Sequence, residues 1–202
     1  MTDELKDIEL KFRRLSASIS DEIPAPLYLH SLGVARTAAG YLLAEDKKSA
    51  VGAYQAGLLH DIAKPLPPEE LLRLCGDFGI LITSIERSSH WLLHAKAGAE
   101  IARIKFGVAD PEILEAIRWH TVGKPGLSKV GLAVYLADAA EPGREFPGVE
   151  RIRAAADVSL IQGCVAAVNA SLFYVIERGW MIDPASVEFR NWLLDQESGS
   201  TG

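Results

Sequence analysis

The chain has 202 residues, 49% of them apolar and 24% charged, with a formal net charge of −6. That size and balance fit one soluble domain with its own hydrophobic core, and the acidic total excludes a global basic surface for nucleic acid. The start, Met1-Thr2-Asp3-Glu4-Leu5-Lys6, lacks the order of a signal peptide, and no apolar run is read as long enough to span a membrane, so a cytoplasmic protein is expected.

The pattern is helical almost throughout. Leu5, Ile8, Phe12, Leu15 and Ile19 recur at steps of three and four, which predicts an amphipathic helix. A second helix is expected over about residues 26–45, carrying His30. A third, over about 49–60, turns Val51, Tyr54, Leu58 and Leu59 inward and ends on His60-Asp61. Pro67-Pro68-Glu69-Glu70 opens another, because proline suits a first turn and acids suit the positive end of the helix dipole. The next covers about 91–106, stopped by Gly107, and Asp110-Pro111-Glu112 starts the helix that ends at His120.

Thr121-Val122-Gly123-Lys124-Pro125-Gly126 is expected as a loop, with Ser128 capping the helix that carries Asp138. Pro142, Gly143, Pro147 and Gly148 break the chain. One long apolar helix is then expected over about 157–178, and Asp183-Pro184 opens a last one before a frayed Ser/Gly/Thr-rich tail at 197–202. No strand alternation, internal repeat or linker appears, so one all-α domain over 1–202 is predicted. Cys75 and Cys164 lie far apart and read as buried free thiols.

Six side chains suit metal binding: His30, His60, Asp61, His94, His120 and Asp138. Imidazole with carboxylate accepts Fe, Mn, Co or Zn, and six donors exceed a closed tetrahedral site but suit two ions sharing a carboxylate. Such a pair of ions can activate water and clamp a phosphate oxygen. His90 and His94 stand one turn apart as in zinc proteases, but Trp91 sits where the catalytic Glu would follow, so that reading fails. Each histidine also has a plain reading as a hydrogen-bonded packing residue, and Asp61 and Asp138 as buried hydrogen-bonders.

Several neighbours suit phosphate. Lys64 follows Asp61 by three residues, while Thr121, Gly123 and Lys124 form a glycine loop leading to a helix start. Arg144 can fork onto a phosphate. Lys124 and Arg118 read equally as solvated surface charges, and Trp119 reads either as a stacking platform for a base or as core.

Five segments in order then resemble a known family: His30-Ser31-Leu32-Gly33-Val34-Ala35; Gly57-Leu58-Leu59-His60-Asp61-Ile62-Ala63-Lys64; His94 with Gly98-Ala99; Ala116-Ile117-Arg118-Trp119-His120-Thr121; and the run from Ala137-Asp138 through Glu141-Pro142-Gly143-Arg144-Glu145-Phe146-Pro147-Gly148-Val149. Together they resemble the HD superfamily of metal-dependent phosphohydrolases, and within it the symmetrical bis(5'-nucleosyl)-tetraphosphatases of the YqeK type, over about residues 26–194. The resemblance implies an all-helical fold, a di-iron centre and cleavage of diadenosine tetraphosphate to two ADP by a hydroxide bridging the metals. It assigns His30, His60, Asp61 and Asp138 to one ion, and His94 and His120 mainly to a second, with Asp61 shared. It also implies catalytic roles for Asp61 and Lys64, and phosphate contacts from Lys64, Thr121, Gly123 and Arg144, to which the loop reading adds Lys124.

The chain departs from the family pattern at Leu27, where Arg is common, and at Val122, where Thr is usual. Neither is a ligand position, so both bear on phosphate binding alone. The expected partner is a small nucleotide or dinucleoside polyphosphate, not nucleic acid or membrane, and oligomeric state is left open. Rival readings on the same scaffold are a nucleotide phosphomonoesterase, a cyclic-dinucleotide phosphodiesterase or a non-catalytic nucleotide-binding module.

Overall fold

The computed structural model describes residues 2–199, and within them the chain is helical with no strand. In order come α1 (Asp3–Ser20), α2 (Ala25–Leu42), α3 (Lys47–Leu59), α4 (Pro68–Asp77), α5 (Ser84–Ser88), α6 (Leu93–Lys105), α7 (Pro111–Trp119), α8 (Lys129–Ala140), α9 (Val149–Val158), α10 (Leu160–Glu177) and α11 (Pro184–Gly199). The expected start signals form as read. Asp110 accepts from Glu112 N at 2.9 Å to cap α7, and Ser128 accepts from Gly131 N to cap α8. Gly107, with φ at +66°, follows the end of α6 in the left-handed region that glycine enters freely.

Helix α8 organises the molecule. Its residues Val130 to Ala137 are all buried, so it is apolar all round, as a helix between two layers must be. On one side α2, α3 and α7 pack against it around Val34, Ala53, Leu58 and Ile117. On the other, α9 and α10 pack against it, while α11 closes on α10 through a second cluster with Leu136, Ile152, Cys164, Phe189 and Leu193. Fully burying a leucine such as Leu58 or Leu59 contributes roughly 1.5–3 kcal/mol. Helices α2 and α3 meet along alanines and Gly57, and a Cβ on Gly57 would stand 2.6 Å from Ala35 Cα. That contact fixes where the end of α3, and therefore His60-Asp61, meets α2.

Four expectations need correction. The helix expected over 157–178 is α10, which starts at Leu160 because Ser159 turns extended (φ −164°) and its hydroxyl caps α10 by accepting from Gln162 N at 3.1 Å, and α9 before it was not expected. The sequence reading also missed the short α5, whose start is a capping box: Thr83 Oγ1 accepts from Glu86 N, and the Glu86 carboxylate accepts from Thr83 N. The tail expected to fray is helical through Gly199, and 200–202 lie outside the described residues. Finally, α10 is by length and composition apolar enough to cross a membrane, contrary to the reading that no run is, although it packs on α8, α9 and α11. Both cysteines are buried free thiols, as expected.

Candidate metal centre

The six candidate ligands come from five places in the fold. His30 is in α2 and His60 caps the end of α3, with Asp61 in the turn after it. His94 is in the first turn of α6, His120 caps the end of α7, and Asp138 is in the last turn of α8. Three histidines sit three residues after a carbonyl that takes their Nδ1–H: His60 donates to Gly57 O at 2.8 Å, His120 to Ile117 O at 2.8 Å, and His94 to Trp91 O. A carbonyl can only accept, so each Nδ1 carries a proton and each Nε2 is the ring atom turned inward, with a lone pair whenever the ring is neutral. His30 is held differently, with Nδ1 3.1 Å from Glu141 Oε1.

The Nε2 atoms converge on Asp61. Its Oδ1 lies 3.1 Å from His94 Nε2 and 3.4 Å from His120 Nε2. Its Oδ2 lies 3.3 Å from His60 Nε2 and 3.9 Å from His30 Nε2. Asp138 Oδ1 joins this second set at 2.9 Å from His30 Nε2 and 3.7 Å from His60 Nε2. One carboxylate therefore faces two histidine groups with different oxygens.

The donors fit cations. Asp61 Oδ1 and His60 Nε2 are buried with no hydrogen-bond partner among the described residues, a costly state for groups out of water. His94 Nε2 and His120 Nε2 stand 3.1 Å apart although neither carries a proton in these tautomers. Two facing lone pairs repel, and that spacing suits two nitrogens each about 2.1 Å from one shared ion.

The electrostatics agree. Burial resists charging His60, but Asp61 and Asp138 outweigh it and lift its pKa to about 10 without a metal. Burial opposes ionisation of Asp61 too, yet His60, His120 and His94 hold its pKa well below the usual carboxylate range. Asp138 is likewise held low against burial, by His30, His60 and Arg144. Burial lowers the pKa of His120, keeping it neutral. Perturbation of this kind, concentrated in one cluster, marks functional sites.

At the mouth stand two cations. Lys64 Nζ lies 2.7 Å from Asp61 Oδ2 and is 44% exposed. Arg144 donates through Nε to Asp138 O at 2.6 Å and through Nη2 to Asp138 Oδ1. Thr121 is half-buried directly after His120. The other two loop residues are engaged elsewhere. Gly123 donates its N–H to Trp119 O and sits against Phe189, where a Cβ would come within 2.1 Å of the ring, and Lys124 pairs with Glu115 at 2.6 Å. Arg118 pairs with Glu100 at 2.7 Å, and Trp119 packs against the second core cluster.

Sequence reasoning named Glu141 only as a neighbour of Arg144 and missed its part in the site. Besides facing His30, its Oε2 accepts from Gly143 N at 2.6 Å, and Gly33 leaves it room, since a Cβ there would stand 2.6 Å from that oxygen. Arg153 was missed as well. It donates to the carbonyls of Ala140, Glu141 and Arg144 at 2.9–3.0 Å, tying the loop after Asp138 to α9. The available signal for Glu141 was its place one helical turn after Asp138; Arg153 had none.

Comparison with known proteins places the chain in a family. The HD domain profile matches residues 27–158. The chain is 30% identical over 181 residues to the symmetrical bis(5'-nucleosyl)-tetraphosphatase of Bacillus subtilis, covering 88% of this chain and 95% of that one. It is 32% identical over 169 residues to the enzyme of the same name from Halalkalibacterium halodurans, covering 83% and 88%. A crystal structure from Clostridium acetobutylicum, described as a predicted HD superfamily hydrolase involved in NAD metabolism, superposes with a TM-score of 0.84 at 33% identity, over 92% of this chain and 97% of that one. The protein belongs to the HD domain family.

Proposed function

We propose that this HD-domain protein hydrolyses dinucleoside tetraphosphates symmetrically, splitting diadenosine tetraphosphate into two ADP. The observation that carries the reading is Asp61, whose two oxygens face separate histidine groups. His30, His60, Asp138 and Asp61 Oδ2 would hold one ion, and His94, His120 and Asp61 Oδ1 the other. Nitrogen and oxygen donors accommodate Fe, Mn, Co or Zn, and the family resemblance is what favours iron among them. Bound there, the ions supply Lewis acidity toward a phosphoryl oxygen and lower the pKa of water.

The chain's own residues do the rest. Asp61 and Asp138 stay ionised, and the carbonyl-anchored histidines hold their Nε2 atoms inward without reorganisation. Lys64 and Arg144, poised at the mouth on those two carboxylates, turn to the bridging phosphates as substrate arrives, and Thr121 offers a hydroxyl from the His120 side. Phosphoryl transfer needs little more than such positioning and charge compensation. Gly123 and Lys124 enter only through the shape of the loop and, for Lys124, on release from Glu115. The similarity to two symmetrical tetraphosphatases over most of both chains supports this substrate over a monoester or a cyclic dinucleotide.

The test is product analysis. Metal-loaded protein should convert diadenosine tetraphosphate to ADP alone, and Asp61→Ala should lose turnover together with the ion held by His94 and His120. AMP plus ATP as products, or turnover retained by metal-stripped Asp61→Ala protein, overturns the proposal.

A further inference from the structure

Arg153 lies outside the candidate ligand set, in the second turn of α9, yet its guanidinium gathers three carbonyls of the segment that follows Asp138. Nε donates to Ala140 O at 3.0 Å, and Nη2 donates to both Glu141 O and Arg144 O at 2.9 Å. Glu141 and Arg144 are the two ends of one turn, closed by Arg144 N donating to Glu141 O at 2.9 Å. We propose that Arg153 is a positioning residue for phosphate binding: by holding both ends of this turn, it aims the Arg144 side chain at the mouth of the metal centre. The inference deepens the proposed function and rests on it for phosphate as the ligand of Arg144.

The two ends of the turn send their side chains to one place. Glu141 Oε1 lies 3.1 Å from His30 Nδ1, while Arg144 donates to Asp138 through Nε and Nη2 and stands 3.3 Å from His30 Nε2. Inside the turn the restraints are few. Besides the closing bond, Gly143 N donates to Glu141 Oε2 at 2.6 Å, and Pro142 has no N–H to give. The carbonyls at both ends are held from outside, by Arg153. A shift of that backbone would carry Arg144 with it.

The choice of arginine separates aim from charge. Helix α8 ends in carbonyls that no helical N–H reaches, at the negative end of its dipole, so any cation is favoured there. Three acceptors shared by Nε and Nη2, with Nη1 donating to Glu150, need the flat fork of a guanidinium. An ammonium carries its three donors on one atom and cannot span them. If charge were the whole role, lysine would serve; if aim is the role, only arginine does.

Arg153→Lys and Arg153→Gln distinguish the two. In manganese-loaded protein, calorimetric titration with inorganic pyrophosphate should show affinity about three- to tenfold weaker in both, within the worth of the charge-assisted hydrogen bond that a misplaced Arg144 loses. The melting temperature should return toward wild type in Arg153→Lys, which keeps a cation at the end of α8. Arg144→Ala should cost at least as much pyrophosphate affinity by itself, and adding Arg153→Lys to it should cost no more, because the effect passes through Arg144. Pyrophosphate affinity restored by lysine overturns the proposal, and so do losses that add in the double variant. Should Arg153→Gln fail to fold by circular dichroism, Arg153→Lys and the double variant decide. Wild-type protein whose pyrophosphate binding depends on Arg153 in this way, but which leaves diadenosine tetraphosphate intact, overturns the proposed function instead and leaves the role of Arg153 standing.

Discussion

Glu141 shows how much one side chain outside the ligand set can carry. His30 is the only histidine of the cluster without a backbone carbonyl at Nδ1; the Glu141 carboxylate faces that nitrogen instead, opposing the pull of Asp138, 2.9 Å from Nε2, on the ring proton. Glu141→Gln keeps the shape but removes the charge that makes the imidazole a stronger donor. Affinity for one of the two ions should drop about 10–100-fold by metal titration of stripped protein, with the fold unchanged by circular dichroism. His60 adds a pH dependence whose sign follows from its neighbours. Its metal-free pKa is raised from 6.5 to about 10, so at neutral pH it carries a proton that an incoming cation must displace. Titrating metal into stripped protein in weak buffer at neutral pH should release about one proton from this site, and affinity should fall as the pH is lowered, by about tenfold for each unit. His120, with its pKa lowered, has no proton to give up. Binding without proton release would contradict this account of His60.

Between elements, the contact that matters most is the seam between α2 and α3. A Cβ on Gly57 would stand 2.6–3.1 Å from the backbone of Ala35 and Val34, so relief cannot come from a side-chain rotation. The same residue's carbonyl takes the Nδ1–H of His60. Gly57→Ala should therefore destabilise the fold by about 1–3 kcal/mol in denaturant melts, as overpacked cores do. It should weaken metal binding as well, because α2 carries His30 and the end of α3 carries His60-Asp61. Loss of stability with full metal affinity would show that the seam and the site are uncoupled. In the sequence Gly57 appears only as the first residue of the segment that ends in His60-Asp61-Ile62-Ala63-Lys64; only the packed pair of helices shows that this glycine is there for proximity.

Across the whole molecule, the candidate ligands tie α2, α3, α6, α7 and α8 to one point. Ions bound to that point in the folded state alone stabilise it by mass action, about 2.7 kcal/mol at a hundredfold excess over Kd. Chelation should then lower the melting temperature by at least about 5 °C, with recovery on adding metal back. A melting curve indifferent to chelation would mean that the centre contributes nothing to holding the bundle together. Asp61 and Glu141 sit buried around a place where positive charge is expected.

Local signals determined most of the helices and the donor inventory. Caps at Asp110 and Ser128, the glycine stop at Gly107, and the apolar periodicity of α1 and α3 act within a few residues, so the chain announces them directly. Helix α9 was missed and the start of α10 placed a few residues early because the two join without a proline or glycine, at a cap that only the extended backbone of Ser159 reveals. Which oxygen of Asp61 faces which histidine, the hold of Glu141 on His30, and the engagement of Gly123 and Lys124 elsewhere were all decided by tertiary structure. These depend on side chains up to 111 residues apart meeting in space, and no local pattern encodes a distance between helices that the packing of α8 against its neighbours alone sets.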